Sequence, residues 1–199
     1  MRSAEVLIIE SSSPEDHFET RQTRREGSIL QQVLALSGVR SKYLEVVNTE
    51  YLRTALVQAE KEQSRYVHFS CHGSYEGITL TDGALVSWAD FDSLGWPALQ
   101  RKCLVFSSCD VGKSVKRLFS FHKSFCNAIV APTRNITWAE GVVAYCAFYH
   151  RATLHTETEV DVRVMNHIVG RGSFVVHFSP YSRTTYVIGK QPRSGGRGA

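Results

Sequence analysis

A histidine and a cysteine each follow an apolar run that is typical of a buried β-strand. His72 ends the run in "YVHFSCHGSYEG" (66–77) and is followed by Gly73, and Cys109 ends the run in "CLVFSSCDVGKS" (103–114). A cysteine thiolate can attack an acyl carbon, and a nearby imidazole can accept the thiol proton and later protonate the leaving amine. The two residues are therefore a candidate nucleophile and base, provided that the fold brings them together.

A purely structural interpretation of the same residues stays open at this point. His72 would be a hydrogen-bonded loop histidine and Cys109 a buried thiol, because free cysteine packs as a small hydrophobic residue. The cysteines are odd in number and have no paired spacing, which is typical of free thiols in a reducing compartment. They are Cys71, Cys103, Cys109, Cys126 and Cys146. We expect the four other than Cys109 to be core residues.

Strands and helices alternate along the chain. The expected strands are 4–11, 42–48, 65–71, 102–108, 128–132, 173–179 and 184–189. The expected helices are 27–38, 50–63 with Thr49 as its cap, 112–123, 138–153 with Thr137 as its cap, and 159–169. Asp82-Gly83 between two short apolar runs indicates a hairpin. This order predicts an α/β fold, with a mainly parallel sheet and helices on both faces.

The expected sheet gives His72 and Cys109 a common position. Ligand sites in such sheets lie beyond the carboxyl ends of the strands, and neighbouring strands are ~4.8 Å apart. Both residues end consecutive main strands, so their side chains can reach one substrate carbonyl if those strands are neighbours. Gly73 would allow a backbone N–H to approach the substrate, and the turn after Cys109 would supply others.

Two further motifs suggest other chemistry and are weaker. "SSCDVGKS" ends like a P-loop, but the required glycine position is Ser107, so we interpret Lys113 as a surface residue. His68, Cys71 and His72 could suggest a metal site. On a strand, however, the two histidines share one face while Cys71 points to the other, and that arrangement closes no tetrahedral site. We expect no metal and no cofactor.

The whole chain suits one globular domain. Its 199 residues are 43% hydrophobic, and we expect a single domain over 1–190 with a flexible tail over 191–199. The net charge of +4 comes largely from basic runs near the two ends, so charge does not indicate nucleic-acid binding. No apolar run approaches the ~20 residues of a membrane span, and no signal peptide is evident. We therefore expect a cytoplasmic protein.

Taken in order, these motifs resemble the CHAT family of caspase-like cysteine peptidases, within the caspase and separase clan. The likeness covers about residues 4 to 180 and has matching motifs in the family's order. They are His72-Gly73, Leu80-Thr81-Asp82-Gly83, Ser108-Cys109, the strand from Ala128 to Pro132, Trp138 and Phe148-Tyr149. The resemblance implies a caspase-like three-layer sandwich with a small hairpin after the histidine loop.

The resemblance also implies roles for individual residues. His72 would be the general base, Cys109 the nucleophile, and the N–H groups of Gly73 and Cys109 the oxyanion donors. Pocket residues for the substrate side chain before the cut bond would come from the loop after the first strand and from around the nucleophile. The candidates are Asp16, Arg24, Ser107 and Asp110. A carboxylate there would select a basic side chain and an arginine an acidic one, and both choices stay open.

The resemblance further implies a protein substrate and a regulated bacterial peptidase in a stress or antiviral response. Two features depart from the family: Asn127-Ala128 replaces a frequent Gly-Ala step, and the region after the long helix is not recognisable. Only about 18 residues separate Cys109 from Ala128, so we expect control by a regulatory protein partner or another protease rather than cleavage there. The alternatives are a catalytically silent scaffold and a nucleotide hydrolase.

Overall fold

The element bounds come from a computed structural model that describes residues 5–13, 16, 25–62, 64–154 and 157–181. The strands are β1 (Val6–Ser11), β2 (Ser41–Glu45), β3 (Tyr66–Gly73), β4 (Gly77–Thr79), β5 (Leu85–Ser87), β6 (Cys103–Ser107), β7 (Ala128–Pro132) and β8 (Phe174–Phe178). The helices are α1 (Glu26–Leu36), α2 (Thr49–Glu62), α3 (Trp88–Gly95), α4 (Leu118–Phe121), α5 (Trp138–Thr153) and α6 (Thr158–Val169).

The main sheet has the strand order β2-β1-β3-β6-β7-β8. All of these neighbours are parallel except β8, which runs antiparallel to β7. The hairpin of β4 and β5 pairs with the end of β3, and Gly83 in its turn has a φ of 83°, which favours glycine. The predicted parallel sheet and the predicted hairpin are confirmed.

Helices cover both faces of the sheet because alternate side chains of its strands are apolar on both sides. On one face, Leu52 and Leu56 of α2 and Phe91 of α3 pack with Phe69 and Phe106 of the strands. On the other face, the core is formed by α1, α5 and α6 against the sheet. Its members include Leu30, Leu34, Tyr66, Tyr145, Phe148, Tyr149, Met165 and Phe174. This is the predicted three-layer arrangement.

Several predicted boundaries were wrong, for local reasons. The third strand continues through His72 and Gly73 because these residues pair with Thr79 and Ile78 of β4. Helix α2 is capped by the Asn48 side chain, not by Thr49: Asn48 Oδ1 accepts from the N–H groups of residues 50 and 51.

The segment after Cys109 also differs from the predicted helix. It forms two 3-10 turns, Val111–Lys113 and Val115–Arg117, before the single turn of α4. Buried Val111, Val115 and Leu118 occur at spacings of four and three residues, which gives the segment a helix-like pattern. Helix α3 was not predicted. The predicted strand at 184–189 and the tail lie outside the described residues.

Helix α5 begins where the sequence indicates. Thr137 accepts a hydrogen bond from the Glu140 N–H at 3.2 Å, and the Glu140 carboxylate accepts from the Thr137 N–H at 2.7 Å. This capping box satisfies two backbone donors that the helix start would otherwise leave without partners. Among the described helices, none has both the length and the apolar character needed to cross a membrane.

Candidate active site

The register between β3 and β6 brings the two predicted residues to one edge of the sheet. Ser70 pairs with Ser107 in a parallel ladder, and the next two residues along each strand lead to His72 and Cys109. Side chains two positions apart on a strand share a face. His72 and Cys109 therefore leave the sheet at the same level and on the same side.

Gly73 lets these two strand ends pack closely. A Cβ atom on Gly73 would lie 2.6 Å from Val111 Cγ1, 2.8 Å from Ser108 Cβ and 3.3 Å from the Cys109 carbonyl oxygen. These distances are shorter than ordinary van der Waals contacts, so any larger residue would push the nucleophile loop away. The glycine after the histidine is thus a packing requirement of the site.

His72 is held by a buried carboxylate. Its Nε2 lies 2.7 Å from Asp16 Oδ2, and the histidine side chain is 42% exposed while that of Asp16 is 5% exposed. An ionised carboxylate can only accept, so Nε2 carries the proton and Nδ1 of the neutral ring keeps its lone pair. Asp16 therefore fixes the tautomer in which Nδ1 can act as a base.

Cys109 opens onto a small pocket beside the histidine. The pocket has a volume of about 100 Å³. Its lining residues are Cys71, His72, Ser107, Cys109, Ile136, Thr137 and Trp138. The half-buried Cys109 thiol lies 3.6 Å from the Ile136 carbonyl oxygen, and the Trp138 indole meets the His72 ring edge to face with centroids 5.7 Å apart. A substrate group in this pocket would contact both the thiol and the imidazole.

The backbone turns sharply just after Cys109. Asp110 has a φ of 59°, in the left-handed region that few residues other than glycine adopt, and its N–H donates to the Arg134 carbonyl at 3.3 Å. Asp110 also forms an ion pair of 2.8 Å with Lys113. The turn thus follows Cys109 directly, and Lys113 is exposed at the surface, as predicted.

A buried carboxyl pair supports the strand ends from below. Glu26 accepts from Ser107 Oγ at 2.9 Å, and its other oxygen lies 2.9 Å from Ser70 Oγ. Glu10 lies 3.1 Å from the same Ser70 hydroxyl and accepts from the Gly27 N–H and the Tyr43 hydroxyl. Glu26 thus links β3 and β6 through Ser70 and Ser107, which lie two residues before His72 and Cys109, respectively.

Hydrogen-bond counting assigns one proton to this carboxyl pair. The Ser70 hydroxyl has a single proton but contacts a carboxyl oxygen of each acid. Glu10 already accepts from two other donors, so we assign it as the ionised member of the pair. The Ser70 hydroxyl then donates to Glu10, and the protonated Glu26 carboxyl donates to the Ser70 oxygen. Burial agrees with this assignment, because desolvation raises the pKa of Glu26 to about 8 and also raises that of Glu10.

His68 and Cys71 precede His72 in β3, and both are buried and uncharged. Burial lowers the pKa of His68 to about 3 and raises the pKa of Cys71 to about 12, so both are neutral at physiological pH. Cys103 and Cys126 are buried as predicted, whereas Cys146 is only partly buried. Of the cysteines near the pocket, Cys109 has the more accessible thiol.

The predicted substrate residues have different surroundings. Ser107 lines the pocket and donates to Glu26, whereas Asp110 faces Lys113. Asp16 contacts His72, a partnership that the sequence did not indicate. Arg24 lies outside the described residues. For these residues, a role in substrate binding remains a prediction.

Sequence reasoning missed the support from Glu10 and Glu26. Glu10 did carry a signal, since it is a single acidic residue in the apolar strand "VLIIES". A charged residue at a buried strand position is rare unless it has partners. Glu26 looked like an ordinary acidic residue at a helix start, so nothing local distinguished it.

Comparison with known families gives one family match. The family model described as "CHAT domain" matches residues 3–127, which is more than half of the chain. Comparison with curated proteins finds no match. The matched region includes β1 to β6 and therefore both His72 and Cys109.

Solved structures with the same fold include caspases and gingipains. Caspase-1 from Spodoptera frugiperda is 14% identical with a TM-score of 0.61, and the match covers 96% of this chain and 92% of that one. Porphyromonas gingivalis RgpB, as a complex of pro- and mature domains, is 12% identical with a TM-score of 0.61, covering 90% and 48%. The "Arg specific cysteine proteinase gingipain R" is 11% identical with a TM-score of 0.59, covering 90% and 47%.

The chain thus spans about half the length of the gingipain chains that it matches. At these identities the likeness shows the fold, which is that of caspase-like cysteine peptidases.

Proposed function

The chain belongs to the CHAT domain family, and we propose that it is a cysteine endopeptidase in which His72 and Cys109 form the catalytic dyad. The observation that carries the proposal is the placement of both side chains on one pocket at the carboxyl edge of the sheet. The Asp16 carboxylate on His72 Nε2 adds the group that orients a catalytic base.

The proposed reaction uses each group in turn. The Cys109 thiol gives its proton to His72 Nδ1, and the thiolate attacks the carbonyl carbon of the cut bond. As the tetrahedral intermediate collapses, His72 returns the proton to the leaving amine and a thioester remains. His72 then takes a proton from water, whose oxygen attacks the thioester carbon. The carbon–sulfur bond breaks, the Cys109 sulfur recovers the proton from His72, and the product acid is released. The N–H groups of Gly73 and Cys109 are the proposed donors to the oxyanion.

The pocket beside Cys109 suggests the type of side chain that the substrate presents. Apart from His72, its lining side chains among the described residues are uncharged, and Ile136 and Trp138 supply apolar walls. A cation or an anion would have to lose its hydration in a pocket of about 100 Å³ where the described lining side chains other than His72 supply no opposite charge. We therefore favour an uncharged side chain of moderate size before the cut bond.

Regulation by a partner protein fits the segment that follows the nucleophile. Residues 110–127 lie between Cys109 and β7, and Val111, Val115, Leu118 and Phe125 in this segment are fully buried. A segment that contributes to the core is a poor site for activating cleavage, because cutting it would expose apolar surface. We propose that a regulatory protein or another protease acts elsewhere on the chain, and that the cellular context is a bacterial stress or antiviral response.

A peptide-library digestion tests the enzymatic proposal. The full chain, with Cys109→Ala and Cys71→Ala as paired variants, is incubated with a library that varies the residue before the cut bond. We expect cleavage by the unmodified chain and by Cys71→Ala, and none by Cys109→Ala.

A peptidyl ketone that traps thiolates supplies a second readout in the same experiment. Labelling confined to Cys109 and lost in His72→Ala supports the dyad. Cleavage that survives Cys109→Ala contradicts it. If neither cleavage nor labelling occurs in any state of the chain, the silent-scaffold alternative replaces the peptidase.

A further inference from the structure

A second pocket lies at the opposite edge of the sheet, next to the residues that precede β3 and β6. Its volume is about 470 Å³, within the range of roughly 300–1,000 Å³ of small-molecule sites. The polar side chains that line it are those of Glu60, Ser64, Arg65, Gln100, Arg101 and Lys102. Three of these carry a positive charge and one a negative charge, so the lining has an excess of two positive charges.

Lys102 is the least ordinary member of this lining. It is 7% exposed, and its ammonium group donates to the Ser64 carbonyl at 2.9 Å. Within the described part of the chain it has no ion-pair partner, and the Glu60 charge acts on it only at longer range. An ammonium group has three donors, and a buried one is costly without an anion. Its burial lowers its pKa, as expected for an incompletely compensated charge.

Two neighbouring features also indicate a ligand site at this pocket. Ser64 is 2% exposed, and in the described residues its hydroxyl has no hydrogen-bond partner. Arg101 has a φ of 60°, a left-handed conformation that is unfavourable for a residue with a side chain and that often occurs where a ligand is held. A buried hydroxyl without a hydrogen-bond partner, a buried ammonium group and an unfavourable backbone conformation thus occur together in one cationic pocket.

The pocket is separate from the candidate active site but borders the same strands. Arg65 directly precedes β3 and Lys102 directly precedes β6, whereas His72 and Cys109 lie at the other ends. His72 lies six positions after Tyr66 along β3, which at ~3.3 Å per position is about 20 Å. An anion here would not contact the dyad.

We propose that this pocket binds a small molecule that carries phosphate groups. Phosphate oxygens suit the planar donors of two arginines, and several negative charges match the excess of positive charge better than one carboxylate does. The cations converge on one cavity, which suits a compact ligand. A nucleic acid strand would instead need a basic surface that extends along its backbone.

Isothermal titration calorimetry with inorganic tripolyphosphate tests this proposal. We expect the full chain to bind one tripolyphosphate, and Lys102→Met or the double change Arg65→Gln with Arg101→Gln to weaken binding by about tenfold or more. The matched control is Lys116→Gln, which removes an exposed lysine from the 3-10 turn at the other edge. It should change affinity by less than about twofold, because exposed distant charges are screened.

The outcomes separate the alternatives. No binding of tripolyphosphate at millimolar concentration overturns the proposal, and so does an equal loss in Lys116→Gln, which would indicate non-specific attraction. Tighter binding of a single-stranded oligonucleotide with the same sensitivity to the variants would show a nucleic-acid surface instead. Lys102 is buried, so its variant could unfold. The two arginines are exposed, and their double variant keeps the test decisive.

Discussion

Two histidine–carboxylate pairs in this protein have nearly the same local geometry. His72 Nε2 lies 2.7 Å from Asp16 Oδ2, and His122 Nδ1 lies 2.8 Å from Asp92 Oδ1. Each histidine is partly exposed, each carboxylate is mostly buried, and each ring contacts a tryptophan. The length of the hydrogen bond therefore does not distinguish the two pairs, although it joins Nε2 in His72 and Nδ1 in His122.

Their surroundings differ. The Trp138 ring meets His72 at 88°, so no parallel ring stacks on the imidazole in this contact, and Cys109 lines the same pocket. The Trp96 ring instead stacks on His122 at 3° with centroids 4.3 Å apart, which covers that ring. A carboxylate can thus orient a histidine that has only a structural role. A thiol that lines the same pocket is what suits His72 to its proposed catalytic role.

Removing the thiol should have the largest effect. We expect Cys109→Ala to abolish peptide cleavage, because Cys71, the other thiol among the described lining residues, is buried and stays protonated. Cys71→Ala, which changes a neighbouring but buried thiol, should keep cleavage within about twofold because that thiol stays protonated. Initial rates on the best library peptide measure both variants. Equal losses of cleavage rate in the two variants would mean that Cys109 has no special role compared with Cys71.

Removing each histidine should separate the two pairs directly. We expect His72→Ala to lower kcat/KM by about 10³- to 10⁴-fold, the upper range for loss of a general base. His122→Ala should leave kcat/KM nearly unchanged and affect only thermal stability. Similar losses of kcat/KM in both variants would mean that His72, like His122, supports the fold and takes no direct part in catalysis.

Changing each carboxylate to its amide should have a smaller effect. Asn at position 16 can donate to Nε2 and so favour the tautomer with its proton on Nδ1, which cannot accept the thiol proton. We expect Asp16→Asn to lower kcat by about 10²-fold with little change in KM. Asp92→Asn should not change kcat. A rise in KM without a fall in kcat for Asp16→Asn would instead support its predicted role in substrate binding.

The smallest effect concerns the carboxyl pair beneath His72 and Cys109. The pKa of Glu26 rises from 4.5 to about 8 on folding, so between these values the folded state holds a proton that the unfolded state has lost. The free energy of unfolding should therefore fall as pH rises through this window, by up to about 1.4 kcal/mol per pH unit from this group. Burial also raises the pKa of Glu10, so this group contributes to the same fall in the free energy of unfolding as pH rises.

Glu26→Gln supplies the matched control for this pH dependence. The amide oxygen can accept from Ser107 and the amide nitrogen can donate to Ser70, so the bridge between the strands is kept without a titrating group. Urea unfolding of both chains at pH 5, 6.5 and 8 should show a shallower decline for the variant. Parallel declines would mean that Glu26 is ionised at neutral pH.

The sequence was informative where structure depends on near neighbours or on a regular pattern. The alternation of apolar strands and helices predicted the parallel sheet, and Asp82-Gly83 predicted the hairpin. Thr137 predicted the start of α5, because a capping residue acts on the backbone next to it and is a local signal. The predicted helix after Cys109 was wrong, since apolar spacing of three and four residues also fits consecutive 3-10 turns.

The sequence by itself thus determined that His72 and Cys109 end two buried strands, because the apolar runs and the glycine after the histidine are local signals. Only the tertiary structure decided that β3 and β6 are neighbours in a register that aligns the two residues. It also decided that Asp16 contacts His72, 56 residues away, and that Glu26 bridges Ser70 and Ser107. Such contacts depend on the path of a loop and on strand order, which no local pattern of residue types encodes.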